Sequence, residues 1–124
     1  MPLQVARESS WLRIVFAGEV SAVDLANLAD RLEALERDLP VTPDRLADLS
    51  GLEGGELNFH TLHRLADRRR AAPPRNPIRT AIVAATPLAF GFARMFQTLN
   101  DHPLVTIRIF ADAAGAEAWL GGPP

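Results

Sequence analysis

At 124 residues, with a net charge of −2 and 48% hydrophobic residues, the chain has the size of one domain, residues 1–124, and can bury roughly two thirds of its unfolded surface without staples. It contains no cysteine, which excludes disulfides, thiolate metal sites, iron–sulfur clusters and a cysteine nucleophile. The near-balanced charge gives no general drive toward nucleic acid or an anionic membrane, and the fact that all 13 basic residues are arginine reads as genome composition rather than function.

In chain order, Met1-Pro2-Leu3-Gln4-Val5-Ala6-Arg7-Glu8 lacks the long apolar stretch of a secretory signal, and Val5 begins a short edge strand. Glu8-Ser9-Ser10 is a polar turn. Trp11 to Ala17 reads as a strand, rich in aromatic and β-branched residues, and Gly18 ends it, so the two strands form an antiparallel hairpin. Ser21, with Asp24 three residues on, opens the first helix through an approximate capping box. Val23, Leu25, Leu28, Leu32 and Leu35 recur at helical spacing along it, and Pro40 stops it. Arg45 to Leu49 is a short central strand, followed by a glycine-containing loop from Ser50 to Glu56. Asn58 caps a second helix with Phe59, Leu62, Leu65 and Ala66 inward; Arg64, Arg68, Arg69 and Arg70 crowd its later half, where cations complement the helix dipole. Residues 72–77 form an exposed, proline-rich connection. Thr80 to Ala84 is an apolar strand covered on both faces. Thr86 and Pro87 start a third helix with a buried stripe of Phe92, Met95, Phe96 and Leu99. Val105 to Phe110 is the last strand, and Asp112 caps a short final helix ending at Trp119-Leu120-Gly121-Gly122. No run nears the roughly 18–20 apolar residues of a membrane span, so the expected location is cytoplasmic, without membrane insertion.

The expected order is ββαβαβαβα: a mixed, mostly parallel sheet of about five strands, joined by right-handed helical crossovers, with about four helices. Three stretches carry a family likeness: Leu46-Ala47-Asp48-Leu49-Ser50-Gly51-Leu52; Arg79-Thr80-Ala81-Ile82-Val83 followed by Phe90-Gly91-Phe92-Ala93-Arg94-Met95-Phe96; and Ile109-Phe110-Ala111-Asp112 leading to Ala116-Glu117-Ala118-Trp119-Leu120. Together they make this α/β chain resemble the STAS domain of anti-sigma-factor antagonists and, more narrowly, the SpoIIAA-like proteins of unknown function. The resemblance implies a SpoIIAA-like fold and a non-enzymatic binding or regulatory role with a protein partner. It departs in one respect. The antagonists carry an Asp-Ser-Ser-Gly-type motif whose hydroxyl is phosphorylated, adding about −1.5 to −2 charges. Here the loop runs Glu53-Gly54-Gly55-Glu56-Leu57-Asn58-Phe59-His60-Thr61, and the nearby hydroxyls Ser50 and Thr61 do not match the motif, so the phosphoswitch is not carried over.

The expected partner surface is the loop and the helix after it, with Asp48 and Ser50 shaping the loop and Thr61, His60, His63, Arg64 and Arg68 facing the partner. An alternative is a carrier of an apolar, lipid-like molecule in a pocket of Phe90, Phe92, Met95, Phe96 and Trp119; core packing is the plainer reading. Phe90 and Phe92 sit about 200° apart on a helix, so one of them is left exposed or facing a groove. His60 and His63 share a helix face and, with Asp48, form a remote candidate for a metal-dependent hydrolase. No third ligand is set by spacing, so no metal or cofactor is expected and surface histidines are the plainer reading. Gly51, Gly54 and Gly55 match neither a P-loop nor a dinucleotide fingerprint, and the chain has no lysine. No Gly-x-Ser-x-Gly elbow is present and no general base is placed beside Ser50, so no catalytic residue is assigned. The arginines from Arg64 to Arg79 lack interleaved aromatics, which argues against nucleic acid. Homodimerisation through a sheet edge is compatible with the sequence and not demanded by it.

Overall fold

The computed structural model describes residues 2–8 and 10–122; Ser9, in the expected Glu8-Ser9-Ser10 turn, lies outside them. The elements are β1 (Leu3–Glu8), β2 (Trp11–Val20), α1 (Ala22–Arg37), β3 (Asp44–Gly55), α2 (Phe59–Ala71), β4 (Ile78–Val83), α3 (Pro87–Leu99), β5 (Val105–Phe110) and α4 (Ala113–Gly121). The sheet has the strand order β1-β2-β3-β4-β5; β1 pairs antiparallel with β2, and every later pair is parallel. The expected order and the hairpin are both present.

The strand order dictates the layering. From β2 to β5 each parallel strand is added on the same side of the last, so right-handed crossovers deliver α1, α2 and α3 to one face. No strand follows α4, and it covers the other face. Side-chain alternation agrees. Leu12, Ile14, Phe16, Ile82 and Ile107 bury against α1–α3, whereas Leu46, Ala81 and Val83 bury against Ala116 and Leu120 of α4. Arg79 fastens α4 to the sheet: its Nη1 donates to Trp119 O (2.8 Å), its Nη2 donates to Leu120 O (2.8 Å), and its guanidinium lies 5.5 Å from the Trp119 ring centroid.

Several boundaries and burial assignments differ from the expectation. Gly18 does not end β2, and residues 50–55 are not a free loop. β2 and β3 continue side by side to Val20 and Gly55, with register shifts between Val15 and Ala17 and between Gly18 and Glu19. Glycine permits this close pairing: Gly55 has φ +114°, and a Cβ there would stand 2.3 Å from the Val20 carbonyl oxygen. Val23 and Phe59 are exposed, at 67% and 60%, because they occupy the first turns of α1 and α2. Leu35, late in α1, is exposed as well. In α3 the fully buried positions are Ala89 and Ala93, while Phe92, Met95, Phe96 and Leu99 are half-buried around them. The small residues let α3 approach the sheet, and the larger ones flank that line of contact.

Candidate functional site

Two regions carry the features expected of a site, and they lie at opposite ends of the parallel strands. The first is where α1, α2 and α3 begin. Asn58 and Thr61 cap α2 reciprocally: Thr61 N–H donates to Asn58 Oδ1 (3.0 Å) and Asn58 N–H to Thr61 Oγ1 (3.1 Å). The Thr61 hydroxyl also donates to the Glu56 carbonyl, so it serves the turn. Asp48 Oδ1 accepts the Ser50 N–H at 2.9 Å, a local loop-shaping bond. Because Ala47 and Leu49 face α1–α3, alternation turns Asp48 toward the α4 face and away from the helix that bears His60 and His63. His60 is exposed. His63 Nδ1 lies 3.2 Å from Asp67 Oδ2, and the His63 ring stacks at 5.5 Å on Phe59. Among the described residues no group of three His, Asp or Glu side chains is placed to hold a metal ion.

A groove of about 330 Å³ runs from the first turns of α1 and α2 along the two helices, lined by Ala22, Val23, Ala26, Thr61, Arg64 and Arg68. Arg68 is held by Asp30 and Glu33 of α1, which raises its pKa through those two hydrogen bonds. Of the expected partner-facing residues, Thr61, Arg64 and Arg68 come together here; His60, His63, Asp48 and Ser50 are not part of the groove. Val23, Phe59, Leu88 and Phe90 are exposed around this same end, each in the first turn of its helix.

The second region is inside the molecule. A cavity of about 90 Å³ lies between the sheet and α1–α3. Leu28, Leu62, Ile82, Phe92 and Phe96 give it an apolar body. At the opposite end of the strands it is closed by Arg45, Arg69, Thr80 and Asn100, all buried. Glu36 Oε2 accepts from Arg45 Nε (3.1 Å) and Nη2, and Glu36 Oε1 accepts from Arg69 Nη2 (2.8 Å). Burial first, and then the like charge of Arg69, push the Arg45 guanidinium below its ordinary value against the pull of Glu36.

The expected apolar pocket of Phe90, Phe92, Met95, Phe96 and Trp119 is not a single site. Phe92 and Phe96 line the cavity. Met95 packs against the same core without lining it. Phe90 is exposed at 49%, as the geometry of the pair Phe90 and Phe92 demands. Trp119 is on the other face of the sheet with Phe110 and α4, because α4 takes no part in the crossovers. Sequence reasoning also missed Arg45, Arg69 and Glu36. The periodic signal was available. Position 69 continues the buried stripe of Leu62 and Ala66, and position 45 shares its strand face with Ala47 and Leu49. Their charge made these positions read as surface.

No protein-family model and no curated protein matches the chain. Solved structures do. One is an uncharacterized DUF3478-family protein with a SpoIIAA-like fold from Shewanella loihica PV-4, at TM-score 0.66 and 18% identity over 95% of this chain and 91% of that one. Another is the anti-sigma factor antagonist SpoIIAA in its unphosphorylated form, at TM-score 0.62 and 14% identity over 98% of this chain and 99% of that one. A third is the phosphorylated form of the Bacillus cell fate determinant SpoIIAA, at TM-score 0.59 and 13% identity over 95% of this chain and 98% of that one. The chain therefore has the SpoIIAA-like fold that its sequence resembles.

Proposed function

We propose that this protein is a non-enzymatic, SpoIIAA-like regulatory module that docks a protein partner on the groove between α1 and α2. The observation that carries the reading is the concentration of exposed apolar side chains at this end, with Val23 lining the groove beside Arg64 and Phe59 exposed in the first turn of α2. Large apolar residues gathered at one end of a small domain mark an interaction surface, and an arginine at its rim suits an acidic partner. A similar structure is described as an anti-sigma factor antagonist, a protein-regulating role of the same class. This chain has no Asp-Ser-Ser-Gly motif, and its Thr61 hydroxyl accepts the Asn58 N–H at the α2 cap and donates to the Glu56 carbonyl; docking is therefore proposed without a phosphoswitch in that loop. The test is crosslinking mass spectrometry on the wild-type chain and on Phe59→Ser, Arg64→Ala and His63→Ala variants. Loss of the same recovered partner with F59S and R64A supports the surface. Unchanged recovery by all three variants refutes it.

A second reading has its own observation, the internal cavity. It makes the protein a sensor or carrier of a small apolar molecule. At about 90 Å³ it is smaller than the roughly 150 Å³ that accommodates benzene, so a small ligand fits and a long acyl chain does not. Native mass spectrometry of the purified chain tests this: a retained low-mass adduct supports the reading, and a clean apo mass after incubation with candidate ligands counts against it.

A further inference from the structure

The geometry points to a small organic acid as the cavity's ligand, its carboxylate held by Arg69 and Arg45 and its short apolar tail lying among Leu62, Ile82, Phe92 and Phe96. This rests on the reading of the cavity as a ligand site and specifies which chemistry it selects.

Charge balance is the first support. Arg45 and Arg69 are each only 8% exposed, yet they share a single carboxylate, Glu36. Two buried cations against one buried anion leave an uncompensated positive charge. Such a charge is strongly unfavourable away from water unless a counter-charge reaches it. Asp44, the next acidic residue, pulls on Arg45 through its charge, more weakly than Glu36, and its Oδ1 accepts the Arg79 backbone N–H at 2.7 Å. Arg70, whose guanidinium holds Asp67 and the Leu99 carbonyl, borders the same cluster from outside and adds no negative charge.

Hydrogen bonding is the second support. Arg69 gives Nη2 to Glu36, but its Nε and Nη1 are fully buried and have no hydrogen-bond partner among the described residues. Buried guanidinium N–H groups nearly always have partners, and these belong to a side chain that lines the cavity. A carboxylate accepts from guanidinium with strong, charge-assisted bonds. A water molecule can accept an N–H bond but cannot offset the charge. Thr80 and Asn100, buried at the same end, add polar groups beside the guanidiniums. Everything beyond them is apolar. Scaling from six heavy atoms in roughly 150 Å³, the cavity of about 90 Å³ takes about four, an acid of two or three carbons.

The cavity and the groove proposed for a protein partner adjoin: Leu25 and Leu65 line both, and Arg68 of the groove directly precedes Arg69 in α2.

The experiment is calorimetry and NMR on the full chain with straight-chain monocarboxylates from acetate to hexanoate, each paired with the primary alcohol of equal length. The expected result is binding that is tightest for acetate and propionate and falls with chain length, with the acid at least about tenfold tighter than the alcohol, the factor a charge-assisted hydrogen bond supplies. The Arg69 Nε–H resonance shifts downfield on binding. Arg69→Met abolishes the preference for acid. Leu62→Phe, at a position that lines the apolar body of the cavity, takes up part of its volume and weakens the longer acids first while keeping that preference. Alcohols binding as tightly as acids overturns the acid assignment while leaving the cavity a ligand site. Binding of neither series overturns both. Acid binding that is unchanged in R69M places the carboxylate elsewhere and also overturns the assignment. The wild-type comparison of acid with alcohol needs no variant to fold.

Discussion

Replacing Arg69 by methionine is expected to stabilise the free protein. The substitution removes the Arg69 Nη2 bond to Glu36 (2.8 Å), a loss of about 1.5–3 kcal/mol for a charge-assisted bond. It also removes unpaired buried N–H groups on Nε and Nη1, whose desolvation costs roughly 1–3 kcal/mol or more. It further relieves the repulsion from Arg45. For two guanidiniums bonded to one carboxylate that is on the order of 2 kcal/mol at an effective dielectric of 20. Methionine keeps much of the volume, and Glu36 retains Arg45 as a one-to-one partner. The balance favours R69M by about 1–2 kcal/mol, a rise in Tm on the order of 5 °C for a domain of this size. Glu36→Gln should do the reverse. It leaves two buried guanidiniums without a counter-charge and should cost about 3–5 kcal/mol. Urea and thermal denaturation followed by circular dichroism measure both. An R69M variant destabilised by more than about 2 kcal/mol would mean that the guanidinium is a structural partner in its own right, and the charge-imbalance reasoning would then fail. A silent E36Q would have the same consequence.

Gly55→Ala should be costly, at least about 3 kcal/mol, since its Cβ would meet the Val20 backbone at 2.3–2.9 Å at a positive φ. Gly18→Ala, also at positive φ but facing open space, should lose only about 1–2 kcal/mol; denaturation of the two side by side separates backbone clash from backbone strain, and equal losses would refute the contact. Arg79→Met should loosen α4, because it takes away the donors to Trp119 O and Leu120 O. Amide exchange in residues 113–121 should accelerate while exchange in α1 to α3 stays unchanged, and uniform acceleration through the chain would show that Arg79 serves the whole fold instead.

Much of the fold is written locally. Ser21, Asn58, Thr86 and Asp112 each sit at a helix start and accept a backbone N–H there, because short polar side chains satisfy the orphan donors of a first turn. Apolar alternation set β2, β4 and β5, and proline ended α1. These signals act over a few residues, so element order and type followed from them, and the family resemblance followed from element order.

Burial of charge and choice of sheet face are decided at longer range. Arg69 stands in a run of basic residues at a helix end, which alone reads as a solvated terminus. It is buried because α1 carries Glu36 past the start of β3. By residue type alone Trp119 reads as part of one aromatic wall with Phe92 and Phe96. Strand order and crossover handedness, neither of which is a local property, put α3 and α4 on opposite faces of the sheet. The sequence by itself determined the type and order of the elements, because hydrogen-bonding and side-chain periodicity are properties of neighbours along the chain. Only the tertiary structure decided that two arginines and one glutamate meet at the closed end of an apolar cavity, because that meeting depends on where three separate elements come to rest.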